Sequence, residues 1–357
     1  MYAILLAPAS NRVYAGESGE LVAAELSVLL SAVDRDPGPI RPLELAGVGY
    51  LALDLPPDPV VDRELGRASA VLAAYEQVGD LLRPVPIERP DRFDDDLVTI
   101  PKYPGKTNEQ FTRLLVNVTL AARRAPRLGP ASILDPMSGR GTTLSTAWIL
   151  GHHGYGVESD PKAVEAQAAF LRTYLRRKRI KHRLTTTPVR RDGRSLGRRL
   201  DAEVQPPQAG PGGADSTHGG PALELTVFTG DTRDTAFLYG KRTFDAVVTD
   251  APYGIVHGSA HRESGASARA GKHGKASRDR SAADLLAEAI PIWAGLLRPG
   301  GALGLSWNTY GLRREDLADI ARRAGLEPQD GDPYLRFGHR VDASIHRDVF
   351  VAVAPLR

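Results

Sequence analysis

Cysteine is absent from all 357 residues. That excludes disulfides, a thiolate nucleophile and any sulfur-ligated zinc site, and it agrees with a cytoplasmic protein. No run approaches the roughly 18 to 20 apolar residues needed to span a bilayer, so no membrane association is expected. The opening stretch MYAILLAPASNRVYAGESGE has a short apolar run with no basic region before it. It reads as a strand rather than a signal peptide. The nine histidines show no HExxH or similar ligand spacing, so no metal is expected. Two nucleotide signatures are missing as well. No GKS or GKT follows the glycines near residue 140, and DPMSGRG at 135–141 is not GxGxxG, which removes a phosphate-binding loop from consideration.

What is present is charge, unevenly spread. The formal net charge is only +3. Residues 1–100 are acid-rich, as in ERPDRFDDD at 88–96, whereas LRTYLRRKRIKHRL at 171–184 and RRDGRSLGRR at 190–199 are strongly basic. A second basic stretch, HRESGASARAGKHGKASRDR, occupies 261–280. A basic run alone is usually solvated surface. Two of them beside candidate chemistry favour a polyanionic partner such as nucleic acid.

Residues 1–85 read as a small α+β unit without a metal, phosphate or nucleophile signature. YAILLA and VGYLALDLP suggest strands, and GELVAAELSVLLSAV has helical apolar spacing. SAVLAAYEQVGDLLRPV fits strand or helix equally. Residues 86–106 are proline-rich and acidic and read as a linker. From 107 to 357, apolar strands and amphipathic helices alternate, which predicts an α/β fold with a mostly parallel sheet. Two segments break the alternation. Residues 186–221 include QPPQAGPGGADSTHGGP and are expected to be a disordered insertion. Residues 257–280 read as a mobile basic loop.

Successive strands close on acids. ASILDPM ends at Asp135, followed by Gly139 and Gly141 before a helix; HGYGVESD carries Glu158; LELTVFTGD ends at Asp231; and TFDAVVTD ends at Asp250. In a parallel sheet these carboxylates gather along one edge, where such folds bind ligands. Glycines between strand and helix allow close backbone approach. An acid after the second strand can accept both ribose hydroxyls. A third acid, or the backbone beside it, can contact an adenine amino group. So much negative charge suits a ligand with cationic groups, such as the sulfonium and ammonium of S-adenosylmethionine, better than a pyrophosphate. Any single acid could equally be a helix cap or turn residue, Asp160 before Pro161 being a clear example. Asp250, Ala251, Pro252 and Gly254 would also end a strand as an ordinary turn.

LDPMSGRGTT resembles motif I of class I methyltransferases, and TDAPYG resembles their amino-methylating (D/N)PPY motif. With KYPGKTNEQFTRLLVNVTL upstream and HRVDASIHRDVFVAVA near the carboxyl end, the chain is most similar to the tRNA guanosine-N2 methyltransferase family that acts near position 10. The resemblance covers most of the sequence. It implies a Rossmann-like methyltransferase sheet, and YLALDLPPDPVVDRELGRASAVLAAYEQVG is similar to that family's ferredoxin-like N-terminal region. It further implies that Asp135, Pro136, Ser138, Gly139, Gly141 and Thr142 line the methionine end of S-adenosylmethionine. Glu158 would hold the ribose and Asp231 would sit at the adenine. Asp250, Ala251, Pro252 and Tyr253 would form the amino-group site, with Tyr253 stacking on the base. Ala251 departs from the family's proline; it keeps a backbone carbonyl and loses ring rigidity. Trp307 and Asn308, closing the next strand, could line the same pocket or simply pack.

The expected activity is methylation of a nucleobase exocyclic amino group in RNA, foremost guanine N2 of tRNA. A DNA adenine-N6 or cytosine-N4 methyltransferase shares the motif logic. A non-catalytic nucleic-acid-binding homologue is the third possibility, left open by Ala251.

Overall fold

In the computed structural model of the chain, the described residues are 1–8, 12–191, 194–207, 220–240, 244–251 and 274–357. The chain opens with β1 (Tyr2–Leu6), α1 (Arg12–Ser31), β2 (Arg41–Leu45), β3 (Val48–Leu53), α2 (Pro59–Arg67), β4 (Val71–Val78) and β5 (Leu81–Val85). These strands form one antiparallel sheet in the order β2-β3-β1-β4-β5. The first four strands and two helices make the expected ferredoxin-like arrangement, and β5 extends its edge. The stretch that fitted strand or helix is therefore the β4–β5 hairpin. α2 begins where the sequence favours a start: Asp58 accepts the Val60 N–H at 2.8 Å, and Pro59 occupies the first turn, where its missing N–H costs nothing.

Beyond α3 (Asp96–Thr99) and α4 (Glu109–Ala121), the second sheet is assembled. Its order of appearance is β6 (Ser132–Asp135), α5 (Thr142–Ile149), β7 (His153–Glu158), α6 (Pro161–Arg177), β8 (His182–Arg191), β9 (Arg194–Val204), β10 (Leu223–Thr229), α7 (Thr235–Tyr239), β11 (Phe244–Asp250), α8 (Gly274–Ala294), β12 (Leu297–Asn308), α9 (Arg314–Arg323), β13 (Glu327–Pro328), β14 (His339–Arg340) and β15 (His346–Val353). The order across the sheet is β13-β15-β12-β11-β6-β7-β10-β9-β8, with β14 on β15. β10, β7, β6, β11 and β12 are parallel, and β15 runs against β12 and β13. The strand order reverses between β6 and β11, as in the Rossmann-like sheet of class I methyltransferases expected from the sequence. That reversal opens a crevice at the carboxyl ends of the strands.

The segment 186–221 differs from its expected disorder. Residues 186–191 and 194–204 belong to the antiparallel β8–β9 hairpin, which adds two strands beyond β10. Leu200, Ala202 and Val204, one period-2 face of β9, are buried in the same cluster as Val164, Ala168 and Leu171 of α6. The apolar residues are few, but their alternation suffices to bury one face; residues 208–219 lie outside the described residues. In the region read as a mobile loop, 274–280 belong to α8, and 257–273 lie outside the described residues. The acidic stretch 86–106 docks on the second sheet through Phe93, Leu97 and Val98, all buried against Trp148 and its neighbours. Among the described residues, no helix is long and apolar enough to cross a membrane.

α1 and α4 are sandwiched between the two sheets. Residues 21–30 and 111–120 are buried on every face. Leu21, Ala24 and Val28 share a core with Phe111, Leu114, Leu115 and Val118. Where the helices meet, polar groups pair with one another. The wholly buried Glu25 accepts the Ser69 N–H at 3.0 Å, the Ser69 hydroxyl at 2.5 Å and the Asn117 amide at 2.8 Å. Arg113 bonds the Arg67 carbonyl and pairs with Asp91 at 2.7 Å. Replacing Glu25 by alanine strands three buried donors, so urea unfolding should show a loss of about 2–4 kcal/mol. Burial pushes the Glu25 carboxyl above its usual 4.5, against the pull of Asn117, Ser69 and Arg113. Its contribution is therefore fully present below pH 4.5 and lost as pH rises through the folded-state value. Stability measured against pH should show Glu25→Gln gaining on the wild type as pH rises.

Candidate functional site at the carboxyl edge of the sheet

Parallel register brings the strand-end acids together. Asp135, Glu158 and Asp250 are the last residues of β6, β7 and β11, and Asp231 lies just past β10. Asp135 stands opposite Gly156, Glu158 opposite Thr229, and Asp250 opposite Ser306.

The loop after β6 is shaped by two left-handed glycines. Gly139, at φ 53°, faces open space, so the Cβ of any other residue would enter the cradle in front of the loop. Gly141, at φ 83°, precedes the first turn of α5; a Cβ there would lie 2.0 Å from the Gln167 amide nitrogen. Glu158 closes over this loop. One carboxylate oxygen accepts the Gly139 N–H at 2.7 Å and the other the Asp160 N–H at 2.7 Å. The oxygen on Gly139 keeps a second lone pair for a ligand hydroxyl, whereas the other also accepts the Ser159 hydroxyl at 3.4 Å. Ser138 is buried, and its N–H donates to the Val157 carbonyl at 3.0 Å, fixing the loop to β7. The Thr142 hydroxyl meets the Tyr103 hydroxyl at 2.7 Å. Asp135, 3% exposed, accepts the Thr249 hydroxyl at 2.7 Å and the Met137 N–H at 3.1 Å. Burial nevertheless pushes its carboxyl up to about 6, assisted by the nearby charge of Asp250.

Asp231 is differently employed. It accepts the Arg233 N–H at 2.8 Å and receives the Arg233 guanidinium on both oxygens, at 2.9 and 2.8 Å. These bonds hold its carboxyl below the usual range. Its side chain caps a 3-10 turn (Thr232–Asp234), and the neighbouring backbone is partly engaged as well: the Gly230 N–H donates to the Glu158 carbonyl and the Asp231 carbonyl accepts the Asp234 N–H, each at 2.9 Å.

Asp250 is held from three separate segments of the chain. One oxygen accepts the Ser306 hydroxyl at 2.7 Å; the other accepts the Thr107 hydroxyl at 2.5 Å and lies 3.6 Å from the Arg347 guanidinium. Arg347 in turn stacks over Phe111 at 4.8 Å, and His339 packs on the same ring at 5.0 Å. Burial lowers His339 to about 4, so it is a neutral packing group rather than a proton acceptor at neutral pH. Ala251 is buried, and its N–H donates to the Ser306 carbonyl at 2.8 Å. Pro252 and Tyr253 lie outside the described residues. Trp307 is a core residue, 2% exposed, donating to the Leu312 carbonyl, and Asn308 is spent on the Ser344 carbonyl and the Tyr310 and His346 N–H groups. Thr107, Ser306, Thr249 and Arg347 were not singled out by sequence. Ser306 immediately precedes Trp307 in a strand end that was, and Thr107 lies inside KYPGKTNEQ.

No protein-family model matches the sequence, and no curated protein does either. Among solved structures, the chain is similar in arrangement to TrmN from Thermus thermophilus, at 14% identity over 88% of this chain and 59% of that one, with a TM-score of 0.40. It is also similar to a methyltransferase from Pyrococcus furiosus, at 13% identity over 71% of this chain and 88% of that one, with a TM-score of 0.37. A TehB-like SAM-dependent methyltransferase from Corynebacterium glutamicum aligns at 16% identity over 64% of this chain and 82% of that one, with a TM-score of 0.34.

Proposed function

We propose that the protein is an S-adenosylmethionine-dependent N-methyltransferase that modifies a nucleobase exocyclic amino group in RNA, with guanine N2 of tRNA as its substrate. The observation that carries this reading is the Asp250–Ala251 strand end. A carboxylate there is fixed on both oxygens and followed by a tethered peptide, beside a glycine loop ringed by further acids.

The residues fit the cofactor. Open space before Gly139 admits a ligand against backbone, and the buried Asp135 is a carboxylate whose ionisation a cation would favour. The loop 135–142, including Pro136, Ser138, Gly141 and Thr142, holds the methionine end. Glu158 takes the ribose hydroxyls, and the backbone at Gly230–Asp231 contacts the adenine. When bound, the cofactor supplies an electrophilic methyl group on its sulfonium.

The chain's own contribution is alignment and charge. An exocyclic amino nitrogen is a poor nucleophile, because its lone pair is delocalised into the ring. The Asp250 carboxylate and the Ala251 carbonyl accept its two N–H bonds and turn the lone pair toward the methyl carbon; orientation of this kind supplies much of the rate. Asp250 also offsets the positive charge that develops on the nitrogen before its proton leaves. Thr107, Ser306 and Arg347 hold that carboxylate in place.

Asp250→Asn keeps the shape and removes the charge. Transfer of label from the cofactor to unmodified tRNA should fall about 10²-fold in kcat, with cofactor affinity unchanged. Label in DNA adenine or cytosine, with no N2-methylguanosine in tRNA, would sink the RNA assignment. Cofactor binding should also depend on pH. With its value near 6, Asp135 is largely protonated at pH 5 and ionised at pH 7.5, so affinity for the cationic ligand should rise across that interval. Calorimetric titration of Asp135→Asn should give weaker binding without that rise.

A further inference from the structure

Beside the glycine loop lies a cleft of about 160 Å³ between the start of α5, α6 and residues 97–106. That volume is well below the roughly 300–1,000 Å³ of pockets that enclose a whole small molecule, and it suits a single compact group. Leu97, Val98, Pro101 and Phe170 give it an apolar wall, and its charged lining is cationic. Lys102 and Arg140 line it, and neither forms an ion pair among the described residues. Arg140 lies over the Tyr103 ring at 4.9 Å, which holds its guanidinium at the rim. Lys106, by contrast, is already committed to Glu109 and to the Val98 carbonyl.

The start of α5 also faces the cleft through Gly141, Thr142 and Ser145, and no side chain caps that helix. A helix start alone would carry no weight, but a second feature points to a ligand. Gln167 of α6 lines the cleft, is 3% exposed, and has both amide atoms buried without a hydrogen-bond partner among the described residues. Leaving such a group unpaired costs about 1–3 kcal/mol, so a buried orphan amide calls for an explanation.

We propose that this cleft is an oxyanion subsite for a backbone phosphate of the nucleic-acid substrate, held by Lys102, Arg140, the Gln167 amide and the start of α5. This rests on the reading of the protein as an RNA methyltransferase and extends it to how the strand is gripped. Lys102 is tied to the acceptor site by a short piece of chain. Thr107, which bonds Asp250, follows five residues later, a span of no more than about 18 Å even when fully extended. A phosphate held in the cleft therefore lies close to the nucleotide presented at Asp250, and the same segment registers both.

The test is fluorescence anisotropy of a labelled, unmodified tRNA transcript with the full-length chain, without cofactor, over a series of salt concentrations. The Lys102→Ala/Arg140→Ala double variant should bind about tenfold more weakly, with the slope of log affinity against log salt reduced by about 1. Gln167→Leu should weaken tRNA binding by about tenfold while its thermal midpoint stays level or rises, because an apolar side chain relieves the unpaired amide. An unchanged salt slope in the double variant, or a wild type that does not bind tRNA, overturns the proposal. So does loss of S-adenosylhomocysteine affinity in calorimetry with tRNA binding intact, since the oxyanion would then be the cofactor's carboxylate. Binding is read without turnover. A slope reduced in the double variant, with a wild type that transfers no methyl group, supports the subsite and refutes the catalytic reading.

Discussion

The carboxyl edge of the second sheet depends on how one carboxylate is held. Asp250 receives hydroxyls from Thr107, 143 residues away in sequence, and from Ser306, 56 residues away, with the Arg347 guanidinium alongside. These donors come from three separate segments: the approach to α4, the end of β12 and the start of β15. Bonds to a charged acceptor are roughly twice as strong as neutral ones, so the cluster both orients the side chain and fastens the segments to one another. The packing behind it has the same logic. Arg347 rests on Phe111, and Phe111 belongs to α4, whose other faces are buried against α1 and the sheet. The position of the acid is thus set by the joint between the two sheets as well as by its own strand.

Ala251 gains a different meaning from this geometry. A proline in its place would have no N–H to give. Here the Ala251 N–H reaches the Ser306 carbonyl at 2.8 Å, while the Ser306 hydroxyl reaches Asp250. The same residue restrains the acid through its side chain and the following peptide through its backbone. A hydrogen bond to the neighbouring strand supplies locally what a pyrrolidine ring would supply by fixing φ. The Asp250–Ala251 peptide is thereby held to the neighbouring strand.

The parts of the site visible in sequence were those in which one short run carries the whole signal. An apolar strand closing on an acid marks Asp135, Glu158 and Asp250, and the period of the helices between them marks the parallel sheet. What sequence could not supply were relations between distant segments. Thr107, Ser306 and Arg347 are ordinary residue types whose importance comes only from register and packing. The β8–β9 hairpin was hidden because its composition is basic and polar, and only Leu200, Ala202 and Val204 alternate clearly enough to bury a face. Asp231 shows the opposite error of emphasis. It stands where the pattern puts an acid, yet Arg233, two residues on, occupies both its oxygens, so the local cap competes with any ligand for that side chain. Trp307 likewise belongs to the core, and the residue before it reaches the site.

The seven residues of DPMSGRG face two electrostatic environments at once. Asp135 is buried at its start, and Glu158 accepts the Gly139 N–H. Arg140 lies over Tyr103 and lines the cleft with Lys102 and the unpaired amide of Gln167. Left-handed backbone at residues 139 and 141 flanks Arg140, whose guanidinium lies over the Tyr103 ring. On the proposed reading, a cationic cofactor and an anionic strand meet the same loop through groups of opposite charge. Substituting Gly141 would drive a Cβ into Gln167. Substituting Gly139 would place a Cβ in open space. The two glycines, although only two residues apart, are therefore required for different steric reasons, one by a packed neighbour and the other by the space in front of the loop.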